Sequence, residues 1–207
     1  MKRAGLVIAL ALAACGPTAP PVHLTEDWPA KDTPLNYDDI TRNWTRSGTI
    51  RGQYQEVLDL AVTFKSPEWR AAHAERDADH RGLTGEQRAQ VLAQAQADMA
   101  GPYEVELMVT TWDRRENDLD RGKKSVWRVV LVDEQGKEVE PIEIVKDRRP
   151  TFTLRSEFPA LGDFAVAYVA RFPRQPPLLG PAVHVLRLRI SGERGGVEVA
   201  WSAPGAP

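Results

Sequence analysis

The chain has 207 residues, 27 Lys and Arg against 29 Asp and Glu, a net charge of −2 and 42% hydrophobic residues. That balance excludes a nucleic-acid-binding or polybasic membrane-binding domain, and the length suits one sizeable core or two small ones. The single cysteine, Cys15, excludes an internal disulfide, so stability has to come from packing, to which six tryptophans bring large apolar area.

At the N-terminus, Lys2 and Arg3 precede an unbroken small and apolar run, Gly5 to Ala14. The run has the length of a signal-peptide h-region and is too short to cross a bilayer. It ends in Leu12-Ala13-Ala14-Cys15-Gly16. This resembles the lipobox of bacterial lipoproteins. The resemblance implies that residues 1–14 are a cleaved signal peptide and that Cys15, the first mature residue, is acylated, palmitate being a typical chain. More than one acyl chain makes such an anchor stable. Gly16, where an aspartate often retains lipoproteins at the inner membrane, implies the outer membrane. The implied partners are the membrane itself, through the lipid, and another envelope protein; no nucleic acid is expected.

Residues 15–38 carry Pro17, Pro20, Pro21, Pro29 and Pro34 and few apolar residues. They read as a tether that extends at about 3.1 Å per residue, with the folded body over residues 39–207. In Tyr54 to Phe64, Leu58, Leu60, Val62 and Phe64 alternate with Asp59, Ala61 and Thr63, the period of a strand facing a core. Ser66-Pro67-Glu68 starts a helix that runs to about His80. Thr84-Gly85-Glu86-Gln87 starts a second, with Val91, Leu92, Ala95 and Met99 as its apolar stripe, and Gly101-Pro102 stops it. Residues 66–100 are thus a helical hairpin inserted between strands or covering a sheet edge.

From Tyr103 the pattern is strand-like almost throughout. Tyr103 to Val109 alternates, and Val126 to Val132 is nearly all apolar. A turn at 133–137 leads into Val139 to Val145. Thr151 to Leu154 reads as a short strand, Phe164 to Phe172 and His184 to Ile190 as alternating ones, and Gly195-Gly196 turns into Val197 to Trp201. Seven to nine short strands separated by turn signals predict a mainly β chain folded as an antiparallel β-sandwich. The stretch Phe158 to Tyr168, with Asp163 five residues before Tyr168, resembles the corner and penultimate strand of immunoglobulin-like domains.

No nucleophile elbow, zinc-protease helix, phosphate loop or dinucleotide fingerprint is present, and no cofactor is implied. Three features could carry chemistry. His73, Asp77 and His80 share one helical face at i, i+4 and i+7, a candidate metal set, although alternating charge is also what a solvated helix face looks like. The loop Asp113 to Gly122 holds Asn117, Asp118 and Asp120 as oxygen donors for calcium, opposed by Arg114, Arg115 and Arg121. Trp112, Trp127 and Trp201 sit in strand patterns; buried they are core, exposed they would stack on sugars. The expected role is a non-catalytic structural or protein-interaction module of the envelope, with the hairpin as its contact surface, and the alternative is a metal- or glycan-binding domain.

Overall fold

In the computed structural model, which describes residues 19–206, nine strands form two antiparallel sheets packed face to face. The first has five strands in the order β1 (Thr45–Arg51), β2 (Glu56–Phe64), β3 (Tyr103–Thr111), β7 (Val166–Phe172) and β6 (Glu143–Lys146). The second has four, β5 (Glu138–Val139), β4 (Arg128–Val132), β8 (Val185–Gly192) and β9 (Gly195–Ser202). The fold is the antiparallel β-sandwich that the spacing of short apolar runs predicts.

Alternation along each strand builds the core. Leu60 lies opposite Val109, Val62 opposite Leu107, and Leu107 opposite Tyr168, so one face of the larger sheet is continuously apolar. Leu186, Leu188 and Ile190 of β8 and Val199 and Trp201 of β9 belong to the same buried cluster. Trp201 sits edge-on to Phe64 at 5.7 Å, and its indole N–H donates to the Trp44 carbonyl at 2.8 Å, so the buried ring leaves no polar atom unsatisfied.

Helices cover the other face of the larger sheet. Ser66 caps α2 (Pro67–His80) by accepting from the Trp69 N–H at 3.1 Å, with Pro67 at the first helical position. Trp69 stacks on Phe158 at 5.5 Å and donates to Thr41 Oγ1 at 3.0 Å, which joins α2 to α1 (Tyr37–Trp44). The second hairpin helix, α3 (Gly85–Ala97), packs on α2, but its stripe of Val91, Leu92, Ala95 and Met99 is only half-buried.

Two readings of the strand pattern are corrected. Thr151 to Leu154 is not a strand but the start of α4 (Thr151–Glu157). Thr and Phe favour strands locally, yet Pro150 begins a turn of helix, and Leu154 and Phe158, four apart, are both buried. The run Val139 to Val145 is broken at Glu140-Pro141, since proline has no N–H for a ladder; β5 stays in one sheet and β6 crosses to the other. The Tyr168 hydroxyl reaches the loop after β3, 2.8 Å from the Asn117 carbonyl and 2.9 Å from Asn117 Oδ1.

The proline-rich segment also differs from a free tether. Val22 and Leu24 are buried in the core cluster, the Val22 N–H donates to Ser202 O, and Leu24 O accepts from the Gly180 N–H. The buried Arg46 guanidinium donates to four backbone carbonyls, those of Ala200, Asn43, Thr45 and Pro20, at 2.6–3.0 Å. Loss of solvent on burial lowers its pKa to about 10. Chain composition alone suggested extension; two apolar side chains and one guanidinium clamp outweigh it.

Candidate functional site

The sequence candidates disperse. His73 stacks on Trp69 at 5.0 Å and lies 3.5 Å from Glu157, Asp77 pairs with Arg81 at 2.9 Å, and His80 is exposed at the end of α2. Among the described residues, no group of three His, Cys, Asp or Glu side chains could hold a metal ion. The loop from Asp113 to Gly122 uses its oxygens internally. Arg115 holds the Asp113 carboxyl down to about 2, and Asp118 Oδ1 accepts from Ser125 Oγ at 2.8 Å and the Val126 N–H at 3.2 Å. Asp120 pairs with Lys146 at 3.4 Å, and the Asn117 amide donates to Val109 O at 2.7 Å. This loop ties β3 to β4 and β7 and presents no vacant ring of oxygens. Cys15 lies outside the described residues.

A charged cavity of about 420 Å³ lies between the helices and the larger sheet. Beneath it, Lys65 Nζ stands 2.9 Å from Oε2 of the fully buried Glu106, in an ion pair whose alignment falls short of a hydrogen bond. Burial raises the Glu106 pKa and Lys65 only partly offsets it. Around this pair, burial alone would raise Glu104, Asp147 and Glu157, but their cations outweigh it and all three carboxyls sit low. Lys65, Arg171 and Arg70 act on Glu104, Arg149 on Asp147, and His73 and Arg149 on Glu157. Glu104, Asp147 and Glu157 are each matched by a cation. The network ties α2 to β3 through Arg70 and Glu104, and α2 to α4 through His73 and Glu157.

A second concavity is different in kind. It is open to solvent, holds about 690 Å³, and lies where the start of β2, the end of β3 and the start of β7 meet. Trp112, just past β3, is 68% exposed, and Phe164, just before β7, is 74% exposed. Both rings line the cleft with Glu56, Asp59, Thr110, Arg114 and Asp163. Tyr54, also exposed, tops the β1–β2 turn at this same end. Asp59 accepts from Thr49 Oγ1 at 2.6 Å and Asp163 from Arg155 at 2.6 Å, which fixes both carboxylates while leaving acceptor capacity.

Of the tryptophans singled out by strand pattern, Trp127 and Trp201 are core and Trp112 is the exposed one. Phe164, read as an inward strand residue, is the ring that sequence reasoning missed; Gly162 and Asp163 just before it were the signal that the strand begins later. No described helix is long and apolar enough to cross a membrane. Comparison with protein-family models, with curated proteins and with solved structures finds no match for this chain.

Proposed function

We propose that this protein is a non-catalytic binding module of the bacterial cell envelope, anchored by lipid on Cys15 at the outer membrane, and that it engages its partner through the Trp112–Phe164 cleft. One observation carries the reading: two large rings stand in solvent on the wall of one concavity, where exposed aromatic surface is unfavourable unless something covers it. The chain path supports it. Residue 20 meets the body beside Arg46, at the start of β1, whereas the cleft lies at the end of β1 and the start of β2. Strands of this length put those ends about 20 Å apart. Cys15 and Pro20 are five residue steps apart and so at most about 18 Å, which keeps an anchored body close to the lipid with its cleft at the far end.

Two measurements test this in cells. Cys15→Ser should leave the membrane fraction and lose labelled palmitate. An aromatic photo-crosslinking residue at 164, which keeps a ring in the cleft, should capture a discrete envelope component that the same residue at the exposed Arg42 does not. Retention of the Cys15→Ser protein with label removes the anchor; equal capture from both positions, or none, removes the cleft. The half-buried stripe of α3 favours a second reading, protein contact through the hairpin. Capture from position 92 instead of 164 would select it.

A further inference from the structure

We infer that the ligand of the Trp112–Phe164 cleft is an uncharged glycan chain, a class named on top of the binding role proposed above. Three features of the cleft converge on it. The first is aromatic. A pyranose with equatorial substituents presents a flat C–H face, and the negative face of an indole or phenyl ring attracts such hydrogens. Trp112 and Phe164 offer two rings already free of protein cover.

The second is the polar set that shares the cleft with the rings. Asp59, Asp163 and Glu56 are acceptors, Arg114 brings guanidinium donors, and Thr110 brings a hydroxyl. An apolar peptide or acyl chain laid across this wall would strip water from the carboxylates and return nothing, at a cost of several kcal/mol. Sugar hydroxyls donate to carboxylates and accept from guanidinium, so the same burial leaves each group satisfied.

The third is charge and shape. The cleft holds Glu56, Asp59 and Asp163 against Arg114 and Lys146, a near balance that favours neither a polyanion nor a polycation. It is open at the end of the sheet, so a chain can pass across it instead of being enclosed. Its placement opposite the chain's point of entry puts it where a polymer lying beyond the lipid surface would be met.

The test uses the full-length protein in a detergent without a sugar headgroup, with two probes: β-1,4-linked tetramers of glucose and of N-acetylglucosamine. At least one should produce a saturable heat in calorimetry and a blue shift of tryptophan emission. Trp112→Ala and Phe164→Ala should each weaken binding at least tenfold, and Trp112→Phe should retain part of it, all with an unchanged melting temperature. No saturable signal from either tetramer at millimolar concentration overturns the glycan assignment, and so does binding that Trp112→Ala leaves intact. Crosslinking from position 164 separates the two readings: if it persists while both tetramers fail, the cleft binds and its ligand is not a neutral glycan.

Discussion

Two positions show how single side chains set the packing. Gly48 in β1 faces β9 so closely that an added Cβ would lie 2.5 Å from Val197 Cγ2 and 3.2 Å from Val199 Cγ1. Valine is stiff about χ1, so the strand has to move instead. Gly48→Ala should cost about 1–3 kcal/mol by chemical denaturation, and Val197→Ala in the same chain should recover most of it. A substitution without effect would mean that the sheets do not meet there. The Lys65–Glu106 pair is the second case. Lys65→Met leaves a carboxylate uncompensated and should lose about 3–5 kcal/mol, whereas Lys65→Met with Glu106→Leu should be neutral or up to about 4 kcal/mol more stable. Equal losses in the single and double variants would contradict the ion-pair account.

At the scale of elements, what could be read from the sequence depended on which face a neighbour covers. The Leu58 to Phe64 alternation was legible because its partner sheet lies on the side the apolar residues face. Glu104 and Glu106 alternate with the core-facing residues of β3, and nothing local announces that α2 and α4 roof the face they stand on. Half of the cleft was visible in Trp112; its other wall depends on β7 starting at Val166, which the strand-like composition around Phe164 hid. The prolines before Leu35 suggested extension because a clamp made by a residue far along the chain has no local signature. That clamp is testable. Arg46→Met leaves the carbonyls of Ala200, Asn43, Thr45 and Pro20 without their donor. It should cost at least about 1–3 kcal/mol and open residues 20–27 to protease before the rest of the body unfolds. Cleavage at the wild-type rate would show that Val22 and Leu24 hold the segment unaided.

Over the whole molecule, the charge network makes stability depend on pH with a definite sign. Glu104 and Glu157 are held below their ordinary 4.5, and Asp147 below 3.8. The unfolded chain therefore takes up protons at these groups before the folded one does, so their contribution is complete above about 4.5 and is lost as pH falls. Glu106 runs the other way: its folded pKa is raised, so what it contributes is present below 4.5 and fades as pH rises through its folded value. Three groups against one give a net loss on acidification, and the melting temperature should drop steeply below about pH 4.5. Arg149 pairs with Asp147 at 2.7 Å and Glu157 at 2.6 Å, so it links α4 to the connection that leaves β6. Arg149→Met returns both carboxyls toward their ordinary range. That variant should melt lower at pH 7 yet lose less on going to pH 3, so the two curves converge in acid. Parallel curves over that range would assign the acid limb to groups elsewhere and leave the cavity a minor part of what holds the helices to the sheet.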